Sequence, residues 1–434
     1  MHALEYFRAY VGVDSGNTEP SGDLAEALAG GYLATTAGGA PYLFGTSFGG
    51  VAGVLDVTNP SARAWFAGRL VTAMDSGADG FMTDFGEQVQ PDMHFADGAT
   101  GATEHNRFPV EYQQIVHDTV TRYEATHPGR QIFWYDRAGW QGSAAQESAS
   151  FPGDETTDFS SASGLQSQTP DMLNRQVGGD WGYTTDIGGY EDATTGATTK
   201  ELLLRWAEWS VLSPFFRLHG SAGSGTHTRW SYDAETLAAY RSLSELRERV
   251  APLVQSRWAS SVQTGLPVVT PLWLAYPDDP RAAAQQQEWL LGPDVLAAPV
   301  VEQGATTRTA YLPAGCWTYQ PTGRQYSGGQ SVTVDAPLTT LAWFTRCGST
   351  PLAAVAPPAA AQPAAGPAAP VRAPASARRT SHPPRYRPRP VATAPTRSLA
   401  ATGGSPSSAA VAVLATAAAL ALRRRRHRRP QGRR

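Results

Sequence analysis

The sequence predicts an α/β protein followed by a small all-β sandwich domain and a disordered tail. Short apolar runs alternate with helical stretches over residues 1–258, which is typical of a parallel sheet or an α/β barrel. Short strand-like runs between glycine and proline turns fill residues 259–350. Beyond residue 350 the chain is rich in Pro and Ala and contains 15 Arg but not one Asp or Glu.

The first region carries local signals for its helices and strands. Asn59 followed by Pro60 predicts a helix start, because an Asn side chain caps free backbone N–H groups and proline suits the first helical turn. The run 80–84 begins at a glycine and ends on a carboxylate. In chain order, the predicted elements are strand 9–12, helix 60–76, strand 80–84, helix 108–125, strand 132–135, strand 183–186, helix 199–212, strand 215–219 and helix 233–251.

The second region, residues 259–350, holds both cysteines of the chain. Its predicted strands lie at 268–269, 296–301, 310–312 and 331–334. Cys316 and Cys347 form one disulfide if the protein is exported; the alternative is a pair of buried thiols. Two cysteines are too few for a disulfide scaffold or a cysteine-rich metal site.

The charge distribution excludes one class of partner. The net charge of −3 conceals 20 basic against 38 acidic side chains in the first 350 residues. An acidic folded part is a poor surface for nucleic acid, so we expect no such partner. No His, Cys or Asp spacing resembles a metal site and no glycine-rich loop has the phosphate-binding pattern, so no cofactor is predicted.

The tail divides into two segments. Residues 351–398 read as a stiff, disordered linker. Residues 399–434 contain Leu-Ala-Ala-Thr-Gly, then an apolar run at 409–422 and an arginine cluster at 423–426. This order resembles a sortase cell-wall sorting signal of the form used by actinobacteria, with Thr402 and Gly403 at the cleavage position. The alternative is a weak membrane anchor, since 14 apolar residues are fewer than the ~20 that span a bilayer.

The sorting signal implies a cell-surface protein attached to peptidoglycan by a sortase. The first residues, however, lack the basic start and apolar core of a signal peptide. We therefore expect a wall-anchored localisation for a chain that does not itself show an export signal.

Several polar residues stand where predicted strands end. Catalytic residues of α/β barrels occupy this position, and Asp84, Arg137, Asp186 and His219 all follow predicted strands. Asp154 stands in a turn at 151–154. Two carboxylates on separate loops suit retaining glycoside hydrolysis, in which one attacks and the other transfers a proton. Spacing alone leaves open that the first acid only caps a turn and the second is an ordinary surface acid.

The stretch 79–87 resembles the nucleophile region of glycoside hydrolase family 31 in its Asp-Phe-Gly-Glu form. In that family the form is typical of α-xylosidases, sulfoquinovosidases and some α-glucosidases. The resemblance covers about residues 5–345, and its further matches follow in order at 137–139 (Arg-Ala-Gly), 153–154 (Gly-Asp), 186–190 (Asp-Ile-Gly-Gly-Tyr) and 217–219 (Arg-Leu-His).

The resemblance assigns roles to the two acids. Asp84 would be the nucleophile that forms a covalent glycosyl-enzyme with an α-linked oligosaccharide or glycoside. Asp154 would be the acid that releases the leaving group and then the base that activates water. The expected activity is therefore that of a retaining, exo-acting α-glycosidase in carbohydrate metabolism.

Four further positions would line the subsite of the cleaved sugar. Arg137 and His219 match residues that hydrogen-bond sugar hydroxyls, and Asp186 matches a residue at the floor of the pocket. Tyr190 stands where sulfoquinovosidases place a tyrosine near the sulfonate, although it also fits a plain aromatic wall.

The chain departs from the family pattern at its beginning. The family carries a β-sandwich and two barrel strands ahead of the first strand seen here. The resemblance therefore implies an incomplete (β/α)8 barrel of TIM type, and a polypeptide that folds poorly or is inactive as written. The competing hypothesis is a non-catalytic or degenerate carbohydrate-binding protein of the cell surface.

Overall fold

The computed structural model describes residues 2–12, 22–46, 50–191, 196–220 and 231–352. The barrel strands and their extensions are β1 (Leu4–Arg8), β2 (Tyr10–Gly12), β3 (Leu43–Gly45), β4 (Val51–Val54), β5 (Gly80–Asp84) and β6 (Phe133–Asp136). The helices of this region are α1 (Gly22–Gly30), α2 (Pro60–Asp75), α3 (Gly101–Glu104), α4 (Phe108–Thr126), α5 (Leu165–Val177), α6 (Lys200–Val211) and α7 (Ala234–Thr264).

The barrel wall is built on three parallel strands in the order β1-β5-β6. Arg8 pairs with Asp84 across β1 and β5, and Thr83 pairs with Asp136 across β5 and β6. Beyond β6 the wall continues as single parallel bridges, from Asp136 to Ser150 and from Ser150 to Tyr183. Since parallel strands share one direction, the carboxyl ends of all these segments meet at one rim of the barrel.

A three-stranded antiparallel extension, β2-β4-β3, rises from this rim next to β1. In the chain, β4 of this extension is followed by α2. The parallel strands bury one face on α2 and α4, where Phe66, Phe81 and Tyr112 are almost wholly buried. This apolar layer outside the sheet leaves the opposite side of the strands free to carry polar groups at the rim.

Three helices begin at a residue whose side chain accepts a hydrogen bond from a free backbone N–H of the first turn. The Asn59 side chain accepts a hydrogen bond from the Ser61 N–H at 2.9 Å, which caps α2. Thr199 caps α6 in the same way, at 3.1 Å from the Leu202 N–H. Asp233 caps α7, at 2.8 Å from the Thr236 N–H.

Two predicted strands are wrong. Residues 183–186 and 215–219 are extended segments with isolated contacts instead of strands. The Thr184 N–H reaches the Ser150 carbonyl at 2.8 Å and the Ile187 N–H reaches the Arg217 carbonyl at 3.0 Å, without a continuous ladder. The residues at 183–186 are buried and those at 215–218 are partly buried, but neither segment has the regular hydrogen bonding of a strand.

The last barrel helix is longer than predicted. The sequence predicted a helix over 233–251, yet α7 runs from Ala234 to Thr264 with Pro252 inside it. Val250 and Val254 flank the proline and are buried, so packing of this face compensates for the missing backbone donor. The predicted domain boundary at 258 therefore falls within α7. This helix ends at Gly265, which caps it with a φ of +72°, and the C-terminal domain begins after this glycine.

The C-terminal domain is built mainly of antiparallel strands. A six-stranded sheet has the order β12-β11-β14-β9-β8-β7, and β10 pairs with β13 beside it. Two short helices, α8 (Leu272–Ala275) and α9 (Pro280–Ala283), follow β7. The strands are β7 (Val269–Pro271), β8 (Trp289–Leu291), β9 (Val295–Ala297), β10 (Thr307–Leu312), β11 (Cys316–Tyr319), β12 (Gln325–Ser327), β13 (Gln330–Asp335) and β14 (Trp343–Arg346).

Cys316 and Cys347 form a disulfide with a Cα–Cα distance of 5.4 Å. The bond joins the first residue of β11 to the turn after β14. Because these strands already pair with each other, the crosslink joins the start of β11 to the end of β14 at one end of that strand pair.

A buried arginine connects the two domains. Arg205 of α6 donates to the Ala305 and Ala336 carbonyls at 2.8 Å each, and it pairs with Glu208 at 2.9 Å. Both charged side chains are almost wholly buried. The barrel and the C-terminal domain therefore share a polar junction in addition to their apolar contacts.

In the part of the chain that the structure describes, no helix has the length and apolar character needed to cross a membrane. Most of the predicted linker 351–398 and the whole sorting segment 399–434, with Thr402 and Gly403, lie outside the described residues.

Candidate active site

A cavity of about 710 Å³ opens at the rim where the carboxyl ends of the strands meet. All six residues predicted from the sequence to form the site line this cavity. Its lining consists of Tyr6, Arg8, Met82, Asp84, Phe85, Arg137, Phe151, Asp154, Asp186, Tyr190 and His219. The cavity has the size of a small-ligand site and carries acidic, basic and aromatic groups together.

Asp84 is the last residue of β5 and is 5% exposed. One of its oxygens, Oδ1, accepts from the Phe85 N–H at 2.8 Å, and Oδ2 accepts from the Tyr6 hydroxyl at 2.7 Å. Phe85 has a φ of +68° and Gly86 a φ of +124°, so the chain turns away from the strand at once. This turn leaves the carboxylate at the strand end, facing the cavity.

Asp154 reaches the same cavity from the loop after β6. The preceding Gly153 has a φ of +105°, and a Cβ there would stand 3.1 Å from Cδ of Arg137. Burial raises the pKa of the Asp154 carboxyl, and the charge of Asp84 adds to the effect, while Arg137 opposes it. A carboxyl with a raised pKa holds its proton to higher pH, as a general acid requires.

The neighbouring Glu155 anchors the acid loop. Its carbonyl accepts from the N–H groups of Tyr190 and Glu191, at 2.7 and 2.8 Å. Its buried carboxyl accepts from the Thr185 hydroxyl at 2.5 Å. Burial raises the pKa of Glu155 to about 7. The acid loop is thus tied to the loop that supplies Tyr190.

Arg137 connects the two acids. Its Nε lies 3.5 Å from Oδ1 of Asp84 and its Nη1 lies 3.5 Å from Oδ1 of Asp154. The same guanidinium pairs with Glu87 and stacks over the Phe85 ring, with 4.0 Å from the guanidinium carbon to the ring centroid. One cation therefore contacts three carboxylates, which fixes the geometry of the pair.

The remaining predicted residues form the far wall. Asp186 is 1% exposed and pairs with Arg217, which in turn lies over the Phe151 ring at 4.8 Å. Tyr190 and His219 stack with their ring centroids 5.4 Å apart. Burial raises the pKa of the Tyr190 phenol, so it remains a hydrogen-bond donor at neutral pH.

The sequence did not identify two polar residues that line the cavity, Tyr6 and Arg8, which lie in β1 ahead of the strand predicted at 9–12. Arg217, which pairs with Asp186 beside the cavity, was predicted only as part of a motif. The detectable signal was alternation: Tyr6 and Arg8 share one face of β1, and Phe7 points to the opposite, apolar side.

Within the described ranges no group of three or more His, Cys, Asp or Glu side chains is arranged to hold a metal ion. The polar groups that line the cavity are carboxyl, guanidinium, phenol and imidazole groups. A paired acid and carboxylate in one sugar-sized cavity suit displacement at an acetal carbon.

Comparison with known proteins agrees with this geometry. Residues 6–256 match the glycosyl hydrolases family 31 TIM-barrel domain, and residues 265–350 match the glycosyl hydrolase family 31 C-terminal domain. The sulfoquinovosidase of Escherichia coli K12 is 35% identical over 338 residues, which are 77% of this chain and 48% of that protein. The alpha-glucosidase 2 of Bacillus thermoamyloliquefaciens is 29% identical over 317 residues, covering 70% of this chain and 39% of that protein.

A solved structure gives the same picture. The family 31 sulfoquinovosidase from E. rectale, in complex with an aza-sugar inhibitor, superimposes with a TM-score of 0.73 at 32% identity. The match covers 80% of this chain and 51% of that one. The chain spans about half the length of the curated relatives it matches. Since the barrel model alone matches more than half of the sequence, the chain belongs to glycoside hydrolase family 31.

Proposed function

We propose that this protein is a retaining, exo-acting α-glycosidase that hydrolyses O-glycosidic bonds by double displacement. The observation that carries the proposal is the convergence of Asp84 and Asp154 on one cavity, each 3.5 Å from the same guanidinium of Arg137. The retained acid pair argues against a non-catalytic carbohydrate-binding role, which would not need it.

In the first step the terminal sugar occupies the cavity with its anomeric carbon beside Asp84. A carboxylate oxygen of Asp84 bonds to that carbon while the glycosidic C–O bond breaks. Asp154 gives its proton to the departing oxygen. The product of the step is a covalent ester between Asp84 and the sugar, with inverted configuration at the anomeric carbon.

In the second step Asp154, now a carboxylate, accepts a proton from water. The water oxygen bonds to the anomeric carbon from the side that the leaving group vacated. The bond to Asp84 breaks and its electron pair returns to the carboxylate. Two inversions give net retention, so the first sugar released has the α configuration.

We propose an α-sulfoquinovoside as the preferred substrate class and a neutral α-glucoside as the second. Sulfoquinovosidases stand among the relatives with the higher identities, and an α-glucosidase also matches. Arg8 and His219 add basic groups to the cavity wall, and Tyr190 supplies a donor beside them. Such groups favour a negatively charged sugar substituent.

The test uses the 434-residue chain with 4-nitrophenyl α-sulfoquinovoside and 4-nitrophenyl α-glucoside. We expect release of nitrophenolate with the first probe preferred, and proton NMR should show the α anomer as the first product. The Asp84→Asn variant, which keeps the shape of the side chain, should lose about a thousandfold in turnover.

Three results would contradict the proposal. Release of the β anomer first would exclude double displacement. Full activity of the Asp84→Asn variant would exclude the assigned nucleophile. Absence of turnover of both probes by the folded wild-type chain would exclude the proposed activity and support the expectation that the polypeptide as written is inactive.

We also propose that the protein is displayed on the cell wall by cleavage between Thr402 and Gly403, with sortase and peptidoglycan as partners. The support is the order of pentapeptide, apolar run and arginine cluster in residues 399–426. Incubation of a peptide covering 395–408 with an actinobacterial sortase should release the fragment beginning at Gly403. An uncleaved peptide would reject the proposal and leave the membrane-anchor alternative.

A further inference from the structure

A tyrosine outside the recognised motifs touches the nucleophile. The Tyr6 hydroxyl donates to Oδ2 of Asp84 at 2.7 Å, whereas Oδ1 is held by the backbone N–H of Phe85. Each oxygen of the carboxylate therefore accepts from a different donor: Oδ2 from Tyr6 in the neighbouring strand β1, and Oδ1 from the turn that follows β5.

The fold delivers the Tyr6 side chain to this position. In the parallel pairing of β1 with β5, Tyr6 lies opposite Met82, two residues before the nucleophile on the same face. The next residue, Phe7, points to the other face and packs edge-on against Phe81 and Phe66, with centroid distances of 5.3 and 5.8 Å. The aromatic contacts fix the orientation of β1, and with it the direction of the phenol.

The phenol is a donor throughout the working pH range. Burial, together with the charge of Asp84, raises the pKa of the Tyr6 hydroxyl well above its usual value. It therefore donates to the carboxylate and does not compete with it for a proton.

We propose that Tyr6 is a positioning residue that stabilises Asp84 as the leaving group of the second step. The proposal rests on the proposed glycosidase function. A hydrogen bond to a charged carboxylate oxygen is about twice as strong as one to a neutral acceptor such as an ester oxygen. The Tyr6 hydroxyl thus favours the ionised acid over the glycosyl ester.

The consequence falls on the hydrolysis of the ester. In that step the water oxygen bonds to the anomeric carbon, the water proton goes to Asp154, and the C–O bond to Asp84 breaks with its electron pair returning to the carboxylate. Charge grows on the Asp84 oxygens as the bond breaks, so a donor at Oδ2 becomes more favourable toward the transition state.

Other charged and titratable groups also surround Asp84, and they come from every segment next to it. The Tyr6→Phe variant removes only the phenol oxygen and leaves these groups unchanged. At the cavity these are Arg8, Arg137, Asp154, Asp186, Tyr190 and His219. Behind and beside the sheet, Asp136, Tyr112 and Tyr10 also interact electrostatically with Asp84. Any change in a Tyr6→Phe variant therefore reports the loss of one donor.

The test compares Tyr6→Phe with wild type on the two 4-nitrophenyl probes. We expect kcat to fall about tenfold, and KM to fall with it, because slow ester hydrolysis lets the intermediate accumulate. Mass spectrometry of quenched reactions should then find the sugar attached to the peptide that contains Asp84.

The matched control is Tyr42→Phe, which removes a phenol–carboxylate hydrogen bond of 3.1 Å to Asp92, outside the residues that line the cavity. It should leave kcat and KM unchanged. Tyr6 is 49% exposed, so loss of its oxygen alone should not unfold the barrel. A general loosening of the site would lower kcat/KM without lowering KM, and that pattern would overturn the proposal.

A binding experiment separates this proposal from the proposed function. Isofagomine, a sugar-shaped cation, should bind in the cavity beside Asp84, and calorimetry should show weaker binding to Tyr6→Phe than to wild type. If wild type binds isofagomine but turns over neither probe, the proposed activity is wrong, and the difference in affinity between the two proteins still decides the role of Tyr6. Equal affinity in both proteins overturns the role of Tyr6, and absence of both binding and turnover overturns both proposals.

Discussion

The acid and the nucleophile occupy different environments although both are aspartates. Asp84 is almost wholly buried and accepts two hydrogen bonds, whereas the Asp154 side chain is 49% exposed and lies at the mouth of the cavity. Its raised pKa therefore has to come from partial burial and the neighbouring acids, against the opposing charge of Arg137. Two carboxylates with different proton affinities are the requirement of double displacement.

Replacement of the acid should separate substrates by their leaving groups. In Asp154→Asn we expect turnover of a natural alkyl glycoside to fall by about 10²–10⁴-fold, because no proton reaches the departing oxygen. With a 4-nitrophenyl glycoside the first step needs little help, so nitrophenolate should appear as a burst followed by slow hydrolysis. Equal losses in kcat/KM on both substrates would contradict the assignment; stopped-flow absorbance follows the nitrophenolate, and a coupled assay of the released sugar follows the alkyl glycoside.

A single glycine positions the acid. In Gly153→Ala the alanine would have to keep a φ of +105°, and its Cβ would stand 3.1 Å from Cδ of Arg137. Because this displaces the acid loop or Arg137, we expect kcat/KM to fall about tenfold or more. The matched control is Gly129→Ala, where φ is +91° but no atom stands within 4 Å of the added Cβ. The two variants should lose similar stability on thermal unfolding, and equal loss of activity would show that strain alone is responsible.

At the scale of the element, sequence prediction succeeded where local chemistry decides. The cap at Asn59 follows from side-chain hydrogen bonding, and the strand Gly80–Asp84 follows from a bounded apolar run. The helix starts predicted at 199 and 233 coincide with the capping residues Thr199 and Asp233. It failed at 183–186 and 215–219, because backbone pairing depends on neighbours distant in the chain. The same dependence hid Tyr6, whose role arises only when β1 pairs with β5.

The junction between α6 and the C-terminal domain depends on one buried cation. In Arg205→Met, the buried Glu208 carboxyl would lose its ion-pair partner, and the Ala305 and Ala336 carbonyls would lose their donor. We expect the free energy of unfolding to fall by about 3–5 kcal/mol. Denaturant unfolding measures this, and the double variant Arg205→Met/Glu208→Leu should recover part of the loss.

The control for this junction is an exposed ion pair on the neighbouring helices. Lys200 contacts Asp233 and Glu235 at the surface, at 2.8 and 2.5 Å. Lys200→Met should leave the unfolding midpoint nearly unchanged, because exposed pairs contribute little. A loss in the control as large as that of Arg205→Met would show that burial of the pair is not the cause.

At the scale of the whole molecule, buried glutamates in both domains link stability to pH in the same direction. Burial raises the pKa of Glu208 in the barrel and of Glu288 in the C-terminal domain to about 7 each, although Arg205 and Arg308 oppose the shift. The folded protein therefore binds protons that the unfolded chain has released. Stability from these groups is present at low pH and is lost as the pH rises through about 7.

This linkage predicts the stability of a variant. In wild type the Tyr311 N–H donates to the Glu288 carboxyl at 3.0 Å. The Glu288→Gln side chain keeps an acceptor for this N–H but cannot ionise. Between about pH 5 and about pH 8, urea unfolding of wild type should lose on the order of 2 kcal/mol more than the variant does. An exposed acid with a lowered pKa, such as Asp233, is ionised in both the folded and the unfolded chain across this interval, so the control variant Asp233→Asn should lose as much stability as wild type does. If Glu288→Gln and wild type lose the same stability across this interval, the glutamate is already ionised in the folded protein and the link between burial and pH is wrong.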